Sequence, residues 1–200
     1  MSTTGAGRAR RLVVGLSGSS APHYGIALLR ALRRDACVET HLVLSTAARR
    51  TVELETDLTA VDVESLADVV HQPDDLSAAI SSGSFLTMGM VVAPCSMRTL
   101  ASIAHGLADN LLSRAADVTL KERRPLVLVP RETPLSLIHL RNMVSVTEAG
   151  AIVLPPTPGF YHRPRSIDDL VDQTTGKVLD QLGIDHDLFR RWATPTQETT

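Results

Sequence analysis

A chain of 200 residues with 44% hydrophobic side chains holds enough material for one full α/β core. Its 20 basic residues face 22 acidic ones and aromatics make up 3%, which excludes a broad nucleic-acid or anionic-membrane surface and a base-stacking platform. Cys37 and Cys95 stand outside any C-x-x-C or Cys/His cluster, and no apolar run approaches about 18 residues. A zinc site, a disulfide scaffold and a membrane span are thereby excluded, and a reducing cytoplasm is the expected compartment.

Residues 1–10 are basic and rich in Gly, Ala and Thr, and are expected to form a disordered leader. Leu12 to Leu16 is a first apolar strand. It runs into Ser17-Gly18-Ser19-Ser20-Ala21-Pro22-His23-Tyr24-Gly25 and an amphipathic helix carrying Ile26, Leu28, Leu29 and Leu32. A strand, a Gly/Ser turn and a helix N-terminus make an anion cradle, because small residues let a ligand approach backbone N–H groups. The turn lacks G-x-G-x-x-G and has no Walker Gly-Lys-Ser/Thr, so a single phosphate is favoured over a dinucleotide.

Val38 to Leu44 is the second strand. Ser45 then stands at the N-cap of a helix that carries Glu53 and Glu55 and closes at Thr56-Asp57. Val61 to Val70 reads as a short helix and Ser81 to Ser84 as a loop. Met88 to Ala93 is the third strand, followed by Pro94-Cys95-Ser96-Met97-Arg98-Thr99 and another helix. Cys95, without a neighbouring base, is expected to be a small buried filler.

The helix Leu107 to Glu122 ends in a cationic turn, Lys121-Glu122-Arg123-Arg124, and Pro125 stops it. The wholly apolar Leu126 to Val129 reads as a strand buried on both faces. Arg131 and Glu132 come just past its carboxyl end, where open parallel sheets bind ligands. There Glu132 is expected to be buried beside the Arg131 cation. Leu135 to Ala149 is a helix ended by Gly150, and Ala151 to Leu154 a fifth strand. A proline-rich loop, Pro155 to Pro164, stiffens the position of Tyr161. Ser166 caps a last helix through Leu182, and Trp192 sits near the end as a candidate interface anchor.

Five strands alternating with helices predict a doubly wound, mostly parallel α/β sheet, a three-layer sandwich, in one domain over 11–192 with a polar tail at 193–200. Gly18 to Ser20, Ser45, Ser96 to Thr99, Arg131 with Glu132, and Tyr161 all fall at strand ends, so one rim is expected to gather them. Its hydroxyls, backbone donors and cations suit a phosphorylated small molecule. None of the seven histidines shows metal-ligand spacing, so no metal is expected.

These residues resemble the flavin prenyltransferases of the UbiX type. The resemblance spans about Arg11 to Trp192. It is carried by Glu55-Thr56-Asp57, Pro94 to Leu100, Arg114 to Asp117, Leu120 to Glu132 and Pro158-Gly159-Phe160-Tyr161-His162. It implies a flavodoxin-like or Rossmann-like fold, a homododecamer and no metal. It also implies transfer of a dimethylallyl group from dimethylallyl phosphate (mono- or diphosphate) to N5 and C6 of reduced FMN. The prenylated flavin is then used by a UbiD-type decarboxylase.

On this resemblance Gly18, Ser19 and Ser20 form the FMN-phosphate loop, and Ser45, Ser96, Met97, Arg98, Thr99 and Arg131 are further flavin contacts. Lys121, Tyr161 and Lys177 grip the prenyl phosphate, partly across a subunit interface, while Glu132, Glu55 and Ser20 handle protons. Two positions depart from the family. Ala21 replaces a glycine, at about 1 kcal/mol if its φ is positive. Lys177 replaces a common arginine, exchanging a planar fork for a point charge. The rival readings are an FMN-dependent cysteine-peptide-type decarboxylase, whose Pro-x-Met-Asn stretch is here Pro130-Arg131-Glu132-Thr133, and a non-catalytic flavin carrier.

Overall fold

The computed structural model describes residues 10–192. The expected leader and the 193–200 tail lie outside them, except that Arg10 opens the first strand. Six strands form one all-parallel sheet in the order β3-β2-β1-β4-β5-β6. They are β1 (Arg10–Leu16), β2 (Val38–Leu44), β3 (Val69–His71), β4 (Gly89–Cys95), β5 (Leu126–Pro130) and β6 (Ile152–Val153). Every residue of β4 and β5 is buried, as continuous apolar runs require.

Side chains alternate across the sheet and build two cores. Leu12, Val14 and Leu16 of β1 face α1 (His23–Leu32) and α7 (Ile167–Gln181), meeting Leu28, Leu29 and Leu179. Val13 faces the other way, with Met90, Leu126 and Leu128, toward α4 (Met97–Ala104), α5 (Leu111–Lys121) and α6 (Leu137–Glu148). The doubly wound sandwich is therefore confirmed, with six strands in place of five.

The sixth strand lies where a helix over Val61 to Val70 was expected. Instead α3 covers Ala60–Glu64, opened by a Thr59–Asp62 capping box, and β3 follows as an edge strand of 3 residues. Asp68 docks it. Its Oδ2 accepts from Thr40 N at 2.7 Å and from Thr40 Oγ1 at 2.8 Å. The α5 helix starts at Leu111 instead of Leu107 because Gly106 has a φ of 65° and Asn110 caps the Ser113 amide.

Behind this edge, the buried His41 ring bridges Glu39, at 2.7 Å from Nε2, and His71, at 2.9 Å from Nδ1. Burial first, and then the charge on His41, hold the His71 pKa below its ordinary value; Asp75 opposes them. The folded chain thus binds fewer protons at His71 than the unfolded one. Its contribution is complete above about pH 6.5 and is lost as pH falls through the depressed folded value. Hydrogen exchange should show β3 amides losing protection, relative to β1, between about pH 8 and about pH 5.5. Equal relative protection at both would contradict this.

Candidate functional site

In the observed strand order the direction of winding reverses between β1 and β4, and ligands of open α/β sheets bind at that crevice. Here the crevice is sewn together by Ser17. Its Oγ donates to Pro94 O at 3.0 Å and accepts from Ser96 N at 2.7 Å, and its amide donates to Pro94 O at 3.1 Å. Neighbouring strand ends are tied in as well. Ser45 N donates to Leu16 O at 3.0 Å, Arg131 N to Cys95 O at 3.2 Å, and Ser19 Oγ to Arg131 O at 2.9 Å. Gly18 lies so close to α2 (Thr46–Glu55) that an added Cβ would fall 2.3 Å from the Ala47 Cβ.

Three helices start on this rim. Ser45 accepts from Ala48 N at 3.1 Å, the N-cap expected, and Ser96 caps α4 likewise, accepting from Thr99 N at 3.2 Å, while Pro22 precedes α1 with no side-chain cap. None of α1, α2 and α4 has an acidic residue in its first turn. Their partial positive ends are thus left for an external anion.

Glu55, at the end of α2, reaches the same turn. Its Oε2 accepts from Ser20 Oγ at 3.1 Å and from Ala21 N at 2.7 Å. Ala21 does adopt a positive φ, 68°, the conformation a glycine would take without a Cβ penalty. The Glu55 bond to its amide helps to hold it there.

Sequence reasoning missed two contributors. Ser17 was read only as part of a turn, yet it joins β1 to β4. Tyr24, in the first turn of α1, has its phenol pKa pushed up by burial and, to a lesser extent, drawn down by the Arg131 charge. Cys95 is the buried filler expected, with burial pushing its thiol up to about 12.

Glu132 departs from expectation. Its side chain is exposed, and Oε1 accepts the Thr133 amide at 3.0 Å instead of pairing with Arg131. The loop that carries it, 131–136, is exposed throughout, and α6 after it buries only Asn142 and Val146 fully against its own subunit.

The residues assigned to the donor phosphate do not take part in these rim contacts. Lys121 ends α5 and pairs with Glu122, beside Gly83. It precedes β5, a strand of 5 residues, whereas Arg131 follows it, so about 16 Å of strand separates the two levels at ~3.3 Å per residue. Tyr161, expected on the rim, meets Trp192 edge-on with ring centroids 5.7 Å apart. Lys177 lies on α7, 3.4 Å from Asp180. Trp192 thus touches its own subunit while remaining 78% exposed.

A cleft of about 820 Å³ also opens between α1, the end of α2 and α7. Its walls carry Glu55, Asp57, Asp168 and Asp172 against Arg30 and Arg34, a balance that disfavours a phosphate there. Among the described residues no group of three or more His, Cys, Asp or Glu is placed to hold a metal, and no helix is long and apolar enough to cross a membrane.

Known proteins agree with this geometry. A family model described as Flavoprotein matches residues 1–179, which sets the class. The chain is 57% identical over 185 residues, 92% of its length and 98% of the other, to the flavin prenyltransferase UbiX of Escherichia coli strain K12. The solved AnUbiX (PadA1), in complex with FMN and dimethylallyl pyrophosphate, superposes with a TM-score of 0.91 at 54% identity, over 94% of this chain and 99% of that one. A dodecameric FMN-dependent UbiX-like decarboxylase of Escherichia coli O157:H7 gives a TM-score of 0.90 at 54% identity, over 92% and 100%. The chain belongs to the UbiX-type flavin prenyltransferases.

Proposed function

We propose that the protein moves a dimethylallyl group from its phosphate ester onto N5 and C6 of reduced FMN, releasing inorganic phosphate. The prenylated flavin would then serve a UbiD-type decarboxylase in the cytoplasm. What carries this reading is the rim itself. Four strand ends and three uncompensated helix starts are bonded into one anion-receptive edge. That edge fits one flavin phosphate, with Gly18, Ser19, Ser20, Ser45 and Ser96 to Thr99 as its cradle and Arg131 beside it.

Reduced FMN supplies the nucleophilic ring atoms; the chain's residues hold, orient and move protons. Cations and a phenol donor are needed where negative charge grows on the leaving phosphate. Lys121, Tyr161 and Lys177 have that chemistry, and none of them takes part in the bonds that build the rim of their own subunit. We therefore infer that neighbouring copies supply them. Exposed apolar side chains on α6 (Leu137, Ile138, Leu140, Val144), together with Phe160 and Ile167, support such an assembly, as does the dodecameric relative. A carboxylate within reach of the flavin, Glu132 or the Ser20-linked Glu55, would take the C6 proton. A flavin carrier would need none of these groups, and the cysteine-decarboxylase reading lacks its Pro-x-Met-Asn stretch.

The test is anaerobic incubation with reduced FMN and dimethylallyl phosphate, with release of inorganic phosphate followed against flavin consumed. One phosphate per flavin is expected, and phosphate release independent of flavin would contradict the reading. Lys121→Ala separates the two ligands. Loss of a charge-assisted contact should raise the donor KM about 10- to 100-fold and leave FMN affinity within about twofold. Equal losses for both ligands would remove Lys121 from the donor site.

A further inference from the structure

One carboxylate near the end of α7 gathers three basic side chains. Asp180 accepts from Arg191 through both oxygens, at 2.7 and 3.2 Å, meets His186 Nε2 at 3.2 Å, and accepts from Lys177 Nζ at 3.4 Å. Its side chain is only 19% exposed, and the Arg191 hydrogen bond, first among its neighbours, holds the carboxyl below its usual range. A two-pronged guanidinium–carboxylate contact fixes direction as well as charge.

What it fixes is the tail. From Gly183 the chain returns along α7, laying His186 and Phe189 over Gly176, where an added Cβ would fall 2.5 Å from either ring. Arg191 then docks on Asp180, and the next residue, Trp192, stands perpendicular to Tyr161. Packing alone does not hold so exposed an indole. Tyr161 is itself seated against Gly159, whose amide donates to Gln173 of α7 at 3.2 Å.

We infer that Asp180 is a positioning residue of the donor site. Through Arg191 it sets the Trp192–Tyr161 pair, and through its own contact it aims the Lys177 ammonium, so that phenol and cation present one surface to a phosphate. The ammonium has three donors, and Asp180 accepts one of them. This rests on the reading that Tyr161 and Lys177 grip the donor phosphate.

The test uses the full-length assembly and four variants, Asp180→Asn, Arg191→Met, Tyr161→Phe and Lys177→Ala, with Asp180→Glu as the conservative rescue. Arg191 is exposed, so its replacement leaves the core intact even if Asp180→Asn folds poorly. Trp192 is the only tryptophan in the chain, so acrylamide quenching reports the tail directly.

Asp180→Asn and Arg191→Met should both make Trp192 more readily quenched and raise the donor KM about 10-fold or more, the scale of misplaced binding groups. Saturated turnover and FMN affinity should stay within about threefold, and Asp180→Glu should recover part of the KM. Unchanged quenching in both variants would overturn the proposal. So would looser quenching without a KM change while Tyr161→Phe and Lys177→Ala do raise it. If those last two leave KM unmoved, the donor-site reading itself fails and the positioning role falls with it, even though quenching has changed.

Discussion

Replacing Glu132 by Gln is expected to lower prenyl transfer about 10²–10⁴-fold while FMN affinity stays nearly unchanged, the scale of a lost general acid or base. The side chain is exposed beyond β5, and its recorded bond is to the adjacent Thr133 amide. It therefore holds neither Arg131 nor the core, and an amide of the same shape leaves the fold untouched. Arg131 is kept in place by main-chain bonds to Cys95 and Ser19 that the substitution does not reach. Single-turnover transfer at saturating reduced FMN checks this. If the variant binds flavin poorly yet turns over normally once saturated, Glu132 is a binding residue and has no proton to move.

A Gly25→Ala substitution is expected to lower stability by about 3 kcal/mol, the upper range for overpacking a filled site. For a chain of this size that corresponds to a melting temperature about 6–12 °C lower. Gly25 is buried in the first turn of α1, where a Cβ would lie 2.2 Å from the Ala93 carbonyl oxygen and 2.7 Å from Leu16 Cγ. The carbonyl belongs to β4 and cannot swing aside, so α1 must lift from the sheet. Because α1 starts on the rim, flavin affinity should fall with stability. Calorimetric melting with and without FMN decides it, and a loss below about 1 °C would show that the helix and sheet can part cheaply.

Local chemistry made much of this molecule legible before its structure. Val38–Leu44 was bounded as a strand, and Ser45 and Ser166 were readable as caps because each precedes a helical stretch. Ala21 was marked by standing in a glycine's place, and its φ of 68° bears that out. The edge strand β3 was not legible, since three residues show no period and its docking depends on Asp68 reaching Thr40 across 28 positions. Ser17 was hidden for a similar reason: its partners Pro94 and Ser96 are 77 and 79 residues away. The expected burial of Glu132 was not met, since the whole loop from 131 to 136 lies exposed beyond β5.

The central claim, that this rim carries prenyl transfer to a flavin, is tested most directly by the mass of the flavin recovered from the protein. It should be measured after anaerobic incubation with reduced FMN and dimethylallyl phosphate. A flavin heavier by one dimethylallyl unit, formed in proportion to enzyme sites and absent when the donor is omitted, is the predicted result. Recovery of unmodified FMN alone, from protein that binds both ligands, would contradict it.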